Sequence, residues 1–303
     1  MTIAVTGGTG FVGQAFLDRT GAAALATRSL ARTPPADHRS GNIWLPGGLD
    51  DRAALAQLVD GVDTVVHIAG VTTSHDPAVF EAGNVRGTVN LLQAAQDAGA
   101  RRFVFVSSLA AREPGLSLYG ASKATAEDLV RQSGLDWTIV RPPAVYGPRD
   151  RDMFALFRAA RWGVVPAPRE GRASLVHVDD LARLLLALSG TADGSIGRVL
   201  EPDDGVPEGW EHRDLALAIG AAVGRRPLVL GQTPRTLRWG AHLDRLLNGD
   251  KAKLTFDRAS YLAHPDWVVS AENRVPGQLW TPQLETREGL KATAQWYRDQ
   301  KWF

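Results

Sequence analysis

The chain of 303 residues has no cysteine. That excludes disulfides, zinc held by thiolates and a thiol nucleophile, and no metal site is expected. No apolar stretch approaches the roughly 20 residues needed to cross a bilayer; Leu181 to Leu188 is far shorter. The first β-rich run, Thr2 to Val5, begins almost at the N-terminus, so no signal peptide is expected before it. A cytoplasmic location without a membrane partner is therefore the expectation. Charge of one sign is also lacking: 34 Lys and Arg against 33 Asp and Glu leave +1, and no basic face stands out. Nucleic acid is accordingly a poor partner. No internal repeat or low-complexity tract is present.

What is present starts at Thr6. The segment Thr6-Gly7-Gly8-Thr9-Gly10-Phe11-Val12-Gly13 follows the first strand, and Phe11, Val12, Ala15 and Phe16 then take helical spacing. Glycines at three-residue spacing on a strand-to-helix turn are the context of a dinucleotide fingerprint. Gly7 permits the tight turn, Gly10 lets backbone amides reach a pyrophosphate at the positive end of the helix, and Gly13 lets helix and strand pack closely. The loop Gly7, Thr9, Gly10, Phe11, Val12 and Gly13 is thus a candidate cofactor seat.

The second strand is expected over 22–27. A carboxylate at its end binds a ribose 2′-hydroxyl, whereas an arginine suits a 2′-phosphate. Here Thr27-Arg28-Ser29 stands there, with Arg32 close behind and no acid. Arg28 therefore favours NADP(H) over NAD(H).

Phe103 to Val106 reads as a buried parallel strand and ends in Ser107-Ser108. Tyr119 follows at the start of a helical stretch reaching about Ser133, and Lys123 lies four residues on, on the same helix face. A phenol with its ordinary pKa of about 10 is a poor proton shuttle near neutrality; a neighbouring ammonium favours the phenolate. Tyr119 would then pass the proton of a carbonyl/alcohol pair while a nicotinamide passes the hydride. Ser108 would hydrogen-bond the same oxygen.

Strands near 2–6, 22–27, 43–45, 63–68, 103–107 and 136–141 alternate with helical patterns such as Arg52 to Val59 and Val79 to Ala98. That alternation predicts an α/β doubly wound parallel sheet, with a smaller C-terminal lobe. The expected division is a dinucleotide domain over 1–148, to which 174–202 returns, and a substrate lobe over 149–303. Asp179 or Asp180 is expected to cap the helix Leu181 to Leu188. Seven of nine tryptophans lie beyond residue 150, and packing of that lobe is their first role.

With these motifs the chain resembles an extended short-chain dehydrogenase/reductase of the NAD(P)-dependent epimerase/dehydratase group. Further matches are His67-Ile68-Ala69-Gly70, Asn84-Val85-Arg86-Gly87-Thr88, Arg141-Pro142-Pro143-Ala144-Val145-Tyr146-Gly147-Pro148 and Leu279-Trp280-Thr281-Pro282. The resemblance implies that Ser108 (or Ser107), Tyr119 and Lys123 form the catalytic set. It implies that Ile68, Ala69 and Gly70 lie along the cofactor ribose and pyrophosphate, that Pro142 and Val145 belong to the loop covering the nicotinamide, and that Ser107, Tyr119 and Lys123 also contact the cofactor. Members often carry an Asp where this chain has Gly48, so the adenine contact is expected from backbone near Leu49. A homodimer through helices near 80–98 and 120–133 is implied by analogy.

The leading expectation is an NADP(H)-dependent oxidoreductase acting on a carbonyl or secondary alcohol of a fairly apolar small molecule. A nucleotide-sugar epimerase with tightly held NAD uses the same site. A dehydratase needs further acid/base groups near the serine, and Leu109, Ala110 and Ala111 supply none. A non-catalytic NAD(P)-binding scaffold is disfavoured by the intact Ser-Tyr-Lys set.

Overall fold

The computed structural model describes residues 1–36, 41–190, 194–249 and 254–303. In chain order β1 (Thr2–Thr6), α1 (Phe11–Ala22), β2 (Ala26–Ala31), β3 (Asn42–Pro46), α2 (Arg52–Val59) and β4 (Thr64–His67) come first. Then follow α3 (Pro77–Phe80), a π-helical stretch Glu81–Arg86, α4 (Gly87–Asp97), β5 (Arg102–Val106), a 3-10 turn Leu109–Arg112, α5 (Leu118–Gln132) and β6 (Asp136–Val140). Next are β7 (Ala144–Tyr146), α6 (Phe154–Arg161), β8 (Val164–Pro168), β9 (Arg172–Ala173), β10 (Leu175–His177), α7 (Val178–Ser189) and β11 (Arg198–Leu200). The remainder is β12 (Trp210–Glu211), α8 (His212–Ala222), β13 (Leu228–Gln232), α9 (Pro234–Asn248), α10 (Phe256–Leu262), β14 (Asp266–Trp267) and α11 (Thr286–Asp299).

Two units emerge: Met1–Pro142 with Leu181–Glu201 and Val275–Trp280, and Pro143–Asp180 with Pro202–Arg274 and Thr281–Phe303. The first is built on a seven-stranded sheet of order β11-β6-β5-β4-β1-β2-β3. Every pairing in it is parallel. Strand order reverses at β1, so the crevice beyond the carboxyl ends of β1 and β4 is where such sheets bind ligands. The central strands are short runs of β-branched and aromatic residues, and Ile3, Val5, Val65, Val66, Phe103 and Phe105 are fully buried. Leu55, Leu58, Leu91 and Val130 of α2, α4 and α5 join Val65, Phe103 and Phe105 in one core on one face of the sheet.

Two elements differ from expectation. The second strand occupies Ala26–Ala31, not 22–27. Alanine favours helix, so α1 runs through Ala22 and closes over Ala23 and Ala24, with Leu25 N–H donating to Thr20 O at 3.0 Å. The stretch expected as one helix over Val79 to Ala98 is interrupted by the π-helical turn Glu81–Arg86, which lodges Asn84 and Val85 in the interior. Such single-turn bulges often mark functional positions.

The second unit holds three small sheets: β7 beside β10, β8 beside β13, and β9 between β12 and β14. Its core gathers Tyr146, Phe157, Leu175, Ile219, Leu290 and Tyr297. Trp296 and Trp302 pack against that core, as the packing role requires. Capping of α7 differs from expectation. His177 Nδ1 accepts from Asp179 N–H at 3.1 Å, while the Asp180 carboxylate accepts from Gln283 N–H and Leu284 N–H at 3.1 and 3.0 Å. With α7 starting at Val178, Asp179 and Asp180 lie within its first turn rather than before it, and Asp180 anchors a distant loop.

Candidate active site

Strand register sets the site. Thr6 of β1 lies beside His67 of β4, His67 beside Phe105 of β5, and Val106 beside Val140 of β6. The residues just beyond these partners are Gly7, Ile68, Ser107 and Arg141. All the candidate segments of the first unit therefore leave the sheet along one carboxyl edge.

The glycine loop is sterically committed. Gly7 has φ +76°, and a Cβ there would stand 2.5 Å from Ala69 N. A Cβ on Gly13 would stand 2.1 Å from Gly7 O. Gly10 N–H donates to Gly7 O at 2.9 Å, closing the turn. Gly10 then caps α1 without a side-chain hydrogen bond, and the first turn carries no acidic residue. Phe11 and Val12 thus open a helix whose positive end is not neutralised by its own sequence, the setting a pyrophosphate requires. Thr9 beside it is exposed.

His67 explains the rigidity of this edge. Its ring is fully buried, with Nδ1 2.6 Å from Thr6 Oγ1 and Nε2 3.0 Å from Thr88 Oγ1. Thr88 Oγ1 donates to Asn84 O at 2.6 Å, so it must accept from the ring. The neutral imidazole therefore carries its proton on Nε2, and Nδ1 accepts from Thr6. Ala69 N–H in turn donates to Thr6 Oγ1 at 3.3 Å. Burial, with Lys123 nearby, holds the His67 pKa down to about 3, so the ring stays neutral. This directed chain pins Ile68-Ala69-Gly70 to β1 and to the π-helical turn.

Asn84 extends the clamp. Its Oδ1 accepts from Val71 N–H at 2.6 Å, and its Nδ2 donates to Val71 O and to Ser122 Oγ at 2.9 and 2.8 Å. Ser122 Oγ donates to Tyr119 O at 2.8 Å. The bulge thus ties the loop after β4 to the turn of α5 that carries Tyr119.

Ser117 caps α5 by accepting from Gly120 N–H at 2.9 Å. A Cβ on Gly120 would stand 2.6 Å from Ala110 O, so only glycine lets α5 dock on the turn that follows Ser108. That contact brings Tyr119, second in the helix, toward the serine pair. The serines divide their duties. Ser107 is buried and donates to Glu127 Oε1 at 2.6 Å. Ser108 is half-buried and its Oγ accepts from Ala110 N–H at 3.2 Å, which leaves its proton to donate elsewhere. Pro142 O accepts from Leu109 N–H at 2.9 Å and fixes Pro142 beside the same turn. Val145 lies on β7 of the second unit, beside Val176.

Lys123 is buried to 3 % exposure. Its Nζ donates to Val106 O at 2.7 Å and sits 4.3 Å from the centre of the Phe105 ring. A Cβ built on Gly70 would lie 3.6 Å from that nitrogen, so the ammonium faces the loop after β4. Burial lowers its pKa to about 7, partly offset by Glu127. A lysine that gains and loses its proton near neutrality suits a relay to a phenol.

One turn further on, Glu127 is fully buried. It accepts from Ser107, from Arg141 Nε and Nη2 at 2.8 and 2.6 Å, and from Arg131 Nη2 at 2.7 Å. Arg141 also meets Glu201 at 3.5 Å. Positions 119, 123, 127 and 131 share one helix face, while Ser107 and Arg141 reach the network from outside the helix.

Arg28 is the clear correction. With β2 at Ala26–Ala31 it falls mid-strand beside Ala4, and its guanidinium donates to the carbonyls of Gln57 and Asp60 at the end of α2. The side chain at the carboxyl end of β2 is Arg32, two residues past the Leu30–Thr6 pair and exposed. A Cβ on Gly48 would lie 3.7 Å from Arg32 Cγ and 2.5 Å from Asp50 Oδ1. The Asp50 carboxylate thus occupies the space that a side chain at position 48 would take. Leu49 O accepts from Asn90 Nδ2 at 2.9 Å, which fixes this loop on α4.

Residues 3–200 match the sequence model of the NAD dependent epimerase/dehydratase family. A ceramide reductase of Caulobacter vibrioides is 32% identical over 99% of this chain and 95% of its own length. A 3 beta-hydroxysteroid dehydrogenase/Delta 5-->4-isomerase of Mycobacterium tuberculosis is 34% identical over 63% of this chain and 62% of its own. Among solved structures, MoeE5 in complex with UDP-glucose and NAD superposes with a TM-score of 0.75 over 99% of both chains, at 21% identity, which shows a shared fold.

Proposed function

The chain belongs to the NAD dependent epimerase/dehydratase family, as an extended short-chain NAD(P)-dependent oxidoreductase/epimerase, and within it we propose an NADPH-dependent reductase of a carbonyl on an apolar, lipid-like molecule. The observation that carries this reading is the docking of α5 on the turn after Ser108 through Gly120. It supports a single reacting oxygen served by Tyr119 and Ser108, with Lys123 behind the phenol.

The uncapped end of α1, the close-packed Gly7 and Gly13, and Arg32 at the end of β2 fit a dinucleotide phosphate. When bound, the nicotinamide supplies the hydride. The chain's own groups do the rest. Ser108 donates a hydrogen bond to the carbonyl oxygen, Tyr119 delivers the proton to it, and Lys123 stabilises the phenolate left behind. The balance is carbonyl, NADPH and a proton in, alcohol and NADP⁺ out. Leu109, Ala110 and Ala111 after Ser108 leave the site without a further acid or base for elimination chemistry. Two relatives are named for a ceramide and a 3β-hydroxysteroid, both largely hydrocarbon, and this supports an apolar substrate.

Arg32 is the 2′-phosphate contact in this reading. Losing one charge-assisted contact to phosphate costs about 1.5–3 kcal/mol, or roughly 10- to 100-fold in affinity. Arg32→Ala should weaken NADPH by that factor and leave NADH almost unchanged in fluorescence titrations. Arg28→Ala should leave the NADPH/NADH ratio as it is. Equal losses of both cofactors in Arg32→Ala would remove the preference for NADPH.

A further inference from the structure

α9 presents a large apolar face to solvent. Trp239, Leu243, Leu246 and Leu247 are 76, 57, 83 and 73 % exposed. The inner seam is narrow: Leu237 and Ala241 alone are buried, against Ala259 of α10. At about 3.6 residues per turn, the exposed tryptophan and leucines fall on the side opposite that seam. Arg235, Arg238, His242 and Arg245 line one flank of the same face and are exposed. Among the described residues, no carboxylate forms an ion pair with any of the three arginines. The approach to α9 is also apolar. Leu228 and Leu230 of β13, with Val164 of β8 in register beside Leu228, point outward.

We propose that α9 is an interfacial helix that lies on an anionic phospholipid bilayer, with Trp239, Leu243, Leu246 and Leu247 among the acyl chains and Arg235, Arg238 and Arg245 against lipid phosphates. The helix has 15 residues, about 22 Å, too short to span and long enough to lie in the plane of the surface. Large apolar side chains with arginines along the border match the two zones of a bilayer surface, because the arginine stems cover hydrocarbon while their heads stay with phosphate. A second copy fits less well. Apposing two such faces antiparallel puts both arginine flanks on the same side, where they repel. This surface departs from the expectation of no membrane partner, which rested on the lack of a long apolar run. No helix among the described residues is long and apolar enough to cross a membrane, and a helix lying on the surface needs no such length.

The test is flotation of the full chain with phosphatidylcholine vesicles, with and without phosphatidylglycerol. Binding should rise with phosphatidylglycerol, fall with added salt, and shift tryptophan emission to the blue. Leu243→Glu with Leu246→Glu should lower vesicle affinity about tenfold or more. Arg235→Gln, Arg238→Gln and Arg245→Gln together should abolish the preference for phosphatidylglycerol. All these side chains are exposed, so thermal melting of the variants should match the parent. Wild-type protein that stays with the aqueous phase, or glutamate variants that float as the parent does, would overturn the proposal. So would a dimer, seen by sedimentation, that the glutamates dissociate while vesicles bind nothing. Vesicle binding and NADPH turnover are read separately, so failure of one leaves the other standing.

Discussion

Tyr119→Phe should lower turnover of a carbonyl substrate about a thousandfold, within the range a positioned general acid contributes, while NADPH binds within about threefold of the parent. The phenylalanine keeps the ring that packs near Phe80, whose centre lies 6.4 Å away, and α5 keeps its cap at Ser117. The change removes the phenolic hydroxyl. Stopped-flow reduction at saturating NADPH separates the chemical step from binding, and the deficit should sit in kcat. A variant that turns over at the parent rate would show that another group protonates the oxygen. Ser108→Ala should lie between the two, because it removes a hydrogen bond and leaves the proton source in place.

Glu127→Ala should destabilise the fold by about 3 kcal/mol, the lower part of the range for leaving buried cations unpaired. Arg141 would lose its bidentate partner and keep only Glu201 at 3.5 Å; Arg131, one-third exposed, would keep its ion pair with Asp128 at 2.8 Å. Ser107 would lose its acceptor. Denaturant unfolding measures the loss. Glu127→Gln distinguishes a positioning role from simple scaffolding. Glu127 raises the Lys123 pKa against the dominant pull of burial. Without that charge the ammonium loses its proton at lower pH. The alkaline limb of kcat/KM, with the cofactor varied, reports the free enzyme, and it should move to lower pH in Glu127→Gln. An unmoved limb with reduced stability would leave Glu127 as structural only.

How much of this was legible in the sequence depends on the kind of signal. The sheet was legible because its strands are short apolar runs bounded by glycine or charge, and the parallel order followed from strands alternating with helices. The glycine loop, Ser108, Tyr119 and Lys123 were legible because spacing along one strand or one helix fixes their neighbours. The second strand was misplaced by four residues, since Ala22 to Ala24 suits helix and turn as well as strand. That slip moved Arg28 to a strand end it does not occupy and hid Arg32. The hydrogen-bond chain Ala69–Thr6–His67–Thr88–Asn84 joins residues up to 63 positions apart, and no local pattern encodes it. The π-helical turn was hidden for a related reason: one extra residue in a helix leaves the apolar spacing almost unchanged, yet it turns Asn84 inward. The Glu127 network was within reach on its own helix face, but its arginine partners come from the same helix and from the end of β6.

The most direct test of the reductase assignment follows the hydrogen itself. Stoichiometric NADPH carrying deuterium at the transferable position of carbon four is incubated with a panel of apolar ketones, including steroidal and long-chain keto-amide substrates. One deuterium per molecule should appear on the new carbinol carbon as one NADPH is consumed. Steady conversion of a UDP-sugar to its epimer with no net change in cofactor, and no deuterium reaching any ketone, would contradict the account.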